Sequence, residues 1–195
     1  MIEKYAPTIF VGIITTFIFE IMKYSFLLCK SKVTEKNLPF SLNGYWISYH
    51  ESMDKKDGEL LSAFELASFV FDNGVVHMRL YQLTSYGGFY CYKGIGYVRG
   101  DKVSVSYCES DSPQSNHIGN FLLKASNKIE HEVAFVGNYL EFRGNGTKGR
   151  TFAYSMCPYK MSTIDRMGIY FLRKKYATKL MKREEFQDEC RNKMQ

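Results

Sequence analysis

The residues able to do chemistry in this chain are few and far apart. Its four histidines, His50, His77, His117 and His131, form no H-E-x-x-H pair and no ligand cluster, so the spacing that a bound zinc needs is missing. No G-x-S-x-G nucleophile elbow is present. Gly144-Asn-Gly146-Thr-Lys-Gly149 matches G-x-G-x-x-G literally, but that motif holds a pyrophosphate only where a helix follows it. Here a strand precedes it and another follows, which makes it a glycine-rich hairpin loop, with Lys148 and Arg150 beside it in solvent. The five cysteines, Cys29, Cys91, Cys108, Cys157 and Cys190, are odd in number and include no C-x-x-C pair. That usage suits a reducing compartment rather than a disulfide framework, and the sequon Asn145-Gly-Thr147 is then idle. The inventory argues for a protein that is not an enzyme and needs no metal or cofactor.

One titratable residue stands out by its neighbours. Glu20 lies in Ala6–Leu28, a stretch of 23 residues that carries only one other charge, Lys23. A helix needs about 20 mostly apolar residues to cross a bilayer core, and no small-residue cleavage site follows the run. The stretch therefore reads as an uncleaved transmembrane helix. Lys30, Lys32 and Lys36 follow it, against Lys4 before it, so the positive-inside bias places the long C-terminal part in the cytoplasm. Glu20 and Lys23 are three residues apart on one helical face, where they can pair near the boundary. The alternative is that Glu20 serves self-association or lines a pore, since a carboxylate at membrane depth is costly.

The element that follows is a run of hairpins. From residue 43 to 156 short alternating segments are separated by glycine turns, as in an antiparallel up-and-down β-barrel of about eight strands. Asn73-Gly74 suits a type I′ turn. It sets His77 opposite Val70, Arg79 opposite Ser68 and Tyr81 opposite Leu66. Phe69, Phe71, Val76, Met78 and Leu80 then share the core face. Around Gly100-Asp101, Gly94 faces Tyr107 and Gly96 faces Val105. Interior strand glycines mark curvature or a close approach, here either Tyr107 lying over a glycine or a ligand cleft between tyrosines. A turn at Gly137-Asn138 puts Val133, Phe135, Leu140 and Phe142 on the core face and pairs Glu132 with Arg143.

After the barrel, Ser162-Thr-Ile-Asp165 is a capping signal, and a helix is expected from Arg166 to about Cys190. Leu172, Tyr176 and Leu180 make an apolar line, with Arg173, Lys174, Lys175, Lys179, Lys182 and Arg183 around it. Such a basic amphipathic helix either lies on an anionic membrane surface or packs on the barrel. The net charge of +6 is concentrated at the two ends of the chain: residues 37–159 carry eleven Lys/Arg against twelve Asp/Glu. The central part therefore lacks the basic face of a nucleic-acid polymer binder. The expected organisation is a membrane anchor over residues 1–30, a basic linker over 31–42, a cytosolic barrel over 43–160 and a basic helix over 161–195.

An N-terminal membrane segment, a short basic linker and a small cytosolic barrel together resemble the transmembrane β-barrel effectors of bacterial cyclic-oligonucleotide antiphage signalling (CBASS). The resemblance is one of architecture over most of the chain, and that family usually carries two spans where one is found here. It implies a barrel that binds a cyclic dinucleotide and a membrane part that oligomerises and disrupts the inner membrane. On that reading Tyr81, Tyr92 and Tyr107 offer faces for stacking bases, Arg79 and Arg150 offer cations for phosphate, and Glu20 with Lys23 serves the membrane step. The alternative is a lipocalin-like, membrane-tethered binding or scaffold protein. Its barrel holds an apolar ligand or is filled by side chains, as eight-stranded barrels often are, and its interior is apolar and free of arginine.

Overall fold

The computed structural model describes residues 6–35, 38–53, 60–110, 117–129, 132–142 and 150–194. Its frame is a closed antiparallel barrel in which every strand pairs with the next and the last pairs with the first. The strands are β1 (Gly44–Met53), β2 (Leu60–Asp72), β3 (Val75–Thr84), β4 (Phe89–Arg99), β5 (Lys102–Glu109), β6 (Ile118–Ile129), β7 (Glu132–Phe142) and β8 (Arg150–Tyr159). Helix α1 (Ala6–Glu35) precedes the barrel, and α2 (Thr163–Met181) and α3 (Glu184–Met194) follow it. Closure leaves no unpaired sheet edge.

The hairpin registers expected on either side of Asn73-Gly74 and Gly100-Asp101 are the ones present. Val70 pairs with His77, Ser68 with Arg79 and Leu66 with Tyr81; Gly94 pairs with Tyr107 and Gly96 with Val105. Asn73 and Gly74 both take positive φ, 52° and 85°, as a type I′ turn requires.

Gly137-Asn138 departs from expectation. No turn forms there, because β7 runs straight through both residues and pairs with β6 along its length. Gly137 is needed for packing rather than for turning: a Cβ at this position would overlap the Leu122 carbonyl of the neighbouring strand. Removing the turn reverses the inward–outward parity beyond it. Tyr139 and Glu141 point into the barrel, and Leu140 and Phe142 are the outward pair. The proposed pairing of Glu132 with Arg143 lies outside the described residues.

Two apolar cores result. The first fills the barrel around Trp46, Phe69, Val76, Val103, Leu123 and Phe135, with Phe40 and Leu42 entering from the α1 side. The Trp46 indole N–H donates to the Leu42 carbonyl at 2.8 Å, tying this plug to β1. The stretch read as a basic linker is therefore helix as far as Glu35 and barrel packing from Leu38. The second core lies on the outer wall, where Ile47, Leu66, Tyr81 and Leu83 are covered by Ala177, Leu180, Met181, Phe186 and Cys190.

The C-terminal region is two helices rather than one, and α2 is itself bent at Arg173, whose φ of 44° and ψ of −118° are not helical. Its first arm (163–172) starts at the expected cap, with the Asp165 amide donating to the Ser162 hydroxyl at 3.1 Å. Its second arm folds back. The Tyr176 ring packs so close over Gly168 that any side chain there would collide with it, and the Tyr176 hydroxyl donates to Asp165 at 2.8 Å. The bend breaks the expected apolar line: Leu180 is buried under the barrel wall while Leu172 is exposed.

Helix α1 also differs from expectation. Among the described residues no helix is long and apolar enough to cross a membrane. The helix is nevertheless apolar and uncovered, with eight large side chains from Val11 to Phe26 exposed by 43–69%. It touches the rest of the chain from its barrel end to its middle. Lys30 pairs with Asp72 of the β2–β3 hairpin at 2.8 Å, and Tyr24 and Phe17 pack against Tyr170 and Phe171 of α2.

Candidate functional site

Eight strands enclose an interior just wide enough for side chains, so what occupies it decides what the barrel can bind. The two ends differ. At the end next to α1 the interior is apolar, plugged by Phe40 and Leu42. Toward the opposite end it is lined by Glu65, Gln82, Tyr92, Tyr107, Tyr139, Glu141 and Tyr154, with Leu80 and Phe121 below them. Alternation puts them there: Glu65 shares the inward face of β2 with Ala67 and Phe69, and Tyr139 and Glu141 that of β7 with Phe135.

Glu65 and Glu141 are only 3% and 7% exposed. A buried carboxylate persists where donors surround it, and Glu65 has two: the Gln82 amide at 2.7 Å and the Tyr154 hydroxyl in a short hydrogen bond. The His50 imidazole stands 4.0 Å from the same carboxylate. Burial, followed by the charge of Glu65, pushes the Tyr154 phenol well above its ordinary range. Burial and then Glu141 and Glu65 do the same to Tyr107. Both hydroxyls are thereby held as donors. Around the carboxylates the rings form a continuous cluster, Tyr92 to Tyr107 at 5.6 Å, Tyr107 to Phe121 at 4.7 Å and Phe121 to Tyr154 at 4.9 Å between centroids. Tyr107 does lie over a glycine, and it is Gly119 of β6 rather than Gly94: a Cβ on Gly119 would overlap the Tyr107 ring.

This donor set favours one kind of ligand chemistry. Two carboxylates and several phenols accept hydrogen bonds from amines, amides and hydroxyls, and no Lys or Arg lines the pocket among the described residues. A phosphate group would meet like charge. The free volume is about 20 Å³, room for about one water, so a larger guest has to displace side chains at the mouth.

The residues expected to bind a nucleotide are dispersed by the fold. Tyr92 and Tyr107 do meet inside the barrel. Tyr81 is on the outer wall, 2% exposed beneath α2, where no base can stack on it. Arg79 is on the same outer face; burial pushes the Tyr81 phenol up and the neighbouring Arg79 charge opposes that shift. Arg150 opens β8 opposite Glu141, and its side chain lies outside the described residues. No ion pair joins Glu20 to Lys23 among the described residues; the Glu20 carboxylate accepts from the Tyr170 hydroxyl of α2 at 3.3 Å. Sequence reasoning passed over Glu65, Gln82, Tyr139, Glu141 and Tyr154. Glu65 had a signal: it is an acid on the strand face that also carries Phe69 and Phe71.

The fold and the site together define a closed eight-stranded barrel with one polar, acidic end and an uncovered apolar helix at the other. The chain matches no family model, no curated protein and no solved structure.

Proposed function

We propose that this chain is a membrane-anchored receptor barrel. In this reading α1 inserts into a lipid bilayer and the polar end of the barrel receives a small ligand rich in hydrogen-bond donors. The observation that carries it is the eight exposed apolar side chains of α1, which at about 100° per residue cover about two thirds of the helix circumference and leave one narrower face to Gly12, Thr16, Glu20 and Lys23. An apolar face this wide is ordinarily covered by protein or by lipid. Covering those side chains is worth about 1.5–3 kcal/mol each, a total too large to leave in water beside a domain of ordinary stability. The helix Ala6–Glu35 also has the reach. At about 1.5 Å per residue, the uncharged part from Ala6 to Phe19 enters well past one leaflet of a core about 30 Å thick.

An apolar N-terminal helix ahead of a small barrel is the feature on which the resemblance to the cyclic-oligonucleotide effectors rests, and on this reading a cyclic nucleotide is the ligand of first choice. The lining favours its base edges or ribose hydroxyls entering among Glu65, Glu141 and the tyrosines, with phosphates left outside. A specific observation favours the second reading, a tethered barrel without a nucleotide ligand: the interior is already nearly full.

Two measurements on the full chain decide. Flotation with phospholipid vesicles, washed in high salt and alkali, tests the anchor. Co-flotation is expected, and full recovery in the soluble fraction refutes it. Titration with a panel of cyclic dinucleotides, followed by tyrosine fluorescence, tests the ligand. Saturable binding lost in Tyr107→Ala supports the receptor reading, and no binding across the panel leaves the tethered scaffold.

A further inference from the structure

The bend at Arg173 divides α2 into two arms with different surroundings. The second arm is a wall-packing element, with Ala177, Leu180 and Met181 buried against β1, β2 and β3. The first arm contributes Ile169 to that core and turns other apolar side chains outward. It exposes Ile164 by 76%, Leu172 by 55% and Phe171 by 39%; Arg166 on the arm and Arg173 and Lys175 at the bend are exposed too, while the Lys174 ammonium lies over the Phe89 ring of β4 at 5.9 Å. Asp165 is the one acidic residue of α2 against five basic ones, and it is engaged by Tyr176 and by Arg183 at 3.1 Å.

The first arm also has a fixed position relative to α1. Phe171 stacks on Phe17 with centroids 5.9 Å apart, Tyr170 packs on Tyr24 at 4.7 Å, and the Tyr170 hydroxyl reaches Glu20. An apolar groove of about 540 Å³ runs between the two helices, lined by Gly12, Ile13, Thr16, Phe17, Glu20 and Phe171. Any surface that α1 enters is therefore met by this arm as well, at the level of Glu20.

We infer that the first arm of α2, together with the bend that ends it, is an interfacial docking element for anionic phospholipid headgroups, with Ile164, Phe171 and Leu172 entering the acyl boundary and Arg166, Arg173 and Lys175 meeting the headgroups. The inference rests on the reading of α1 as the membrane element. The occupant follows from the charge pattern, because exposed apolar residues interleaved with cations match a headgroup boundary, whereas water would leave the apolar three uncovered. The arrangement also supplies an environment for Glu20: at the boundary its carboxylate has a tyrosine donor and nearby water, a place where a charge costs less than at mid-bilayer.

The test uses the full chain and two vesicle compositions, zwitterionic phosphatidylcholine alone and phosphatidylcholine with one part in three phosphatidylglycerol. Each juxtamembrane cation is worth about fivefold in partition onto an anionic surface. Wild type is expected to partition at least tenfold more strongly onto the anionic vesicles, with the gain falling in high salt. Arg166→Gln with Lys175→Gln should remove most of that gain while leaving binding to the zwitterionic vesicles unchanged. Leu172→Ser, at an exposed site outside both cores, should weaken binding to both. An equal gain in wild type and the double variant overturns the inference with the anchor intact. Absence of binding to either vesicle overturns the anchor reading itself.

Discussion

The hydrogen bond between Tyr154 and Glu65 gives the sharpest test of the barrel interior. Both residues are almost fully buried, at 5% and 3% exposure, so neither can fall back on bulk water. Tyr154→Phe removes one neutral donor from a buried carboxylate that keeps its bond from Gln82. A hydrogen bond to a charged group is worth about 1.5–3 kcal/mol. For a chain of this size each kcal/mol moves the melting temperature by about 2–4 °C, so a loss of about 3–12 °C is expected. The decisive comparison is the same substitution in a Glu65→Leu background. There the Tyr154 hydroxyl has already lost its carboxylate acceptor and keeps only its hydrogen bond with Ser48, so removing it should cost much less. The coupling in the double-mutant cycle is thus expected at about 2 kcal/mol, measured by urea or thermal melts of the chain. Equal costs in the two backgrounds, within about 0.5 kcal/mol, would refute the claim that the carboxylate is held by this donor, and with it the acidic character assigned to the pocket.

Two further predictions concern titration and access. Burial pushes the phenols of Tyr45 and Tyr159 up to about 12, with Tyr24 next in effect on the first and Glu189 on the second; Tyr107 and Tyr154 are raised as well. These groups stay protonated in the fold while tyrosines of the unfolded chain ionise near pH 10, so their contribution is intact below about pH 10 and is lost as pH climbs toward about 12. Thermal melts should hold steady to pH 9.5 and fall steeply above it; a melting temperature unchanged at pH 11.5 contradicts the burial of these phenols. Among the cysteines, Cys29 and Cys108 are exposed and Cys91, Cys157 and Cys190 are buried, with burial raising the Cys190 thiol further. Two thiols should react rapidly with Ellman's reagent in the native protein and five after denaturation, and a third fast thiol would contradict the burial of Cys91, Cys157 and Cys190.

Much of the barrel was legible because its turns carry strong local chemistry. Asn73-Gly74 fixes the β2–β3 register by backbone conformation alone, and once that register is set the inward faces follow from alternation. Gly137-Asn138 has nearly the same chemistry and a different use. The glycine answers to the Leu122 backbone on the next strand, a long-range contact that local reading does not contain. The error moved Tyr139 and Glu141 from the interior to the outside and so hid half of the acidic lining. Tyr81 was misplaced for another reason. On β2 both faces are apolar, with Phe64 and Leu66 outward and Ala67 and Phe69 inward, which is the mark of a strand covered on both sides. Taking the outward face as open made Tyr81 a stacking platform, whereas the second arm of α2 covers it.

The placement of the two ends constrains any link between ligand and membrane. The plug residues Phe40 and Leu42 and the Lys30–Asp72 pair sit at the end of the barrel that faces α1, whereas Glu65, Gln82 and Glu141 sit toward the other end. A guest at the acidic end is therefore separated from α1 by the length of the apolar core. Close-packed interiors transmit strain poorly as continuous deformation and well as a switch between two packings. The structure offers one continuous outer route. Glu65 faces inward on β2, and its neighbours Phe64 and Leu66 face outward into the core that holds the second arm of α2. That arm joins the first through the bend at Arg173, and the first arm touches α1 at Tyr170 and Phe171. On the proposed reading, a guest that moves Glu65 shifts β2 against α2 and changes how Tyr170 meets Glu20. Coupling along this route requires the bend: Arg173→Ala, which favours a continuous helix, should leave ligand affinity at the barrel in place while uncoupling it from any change at α1.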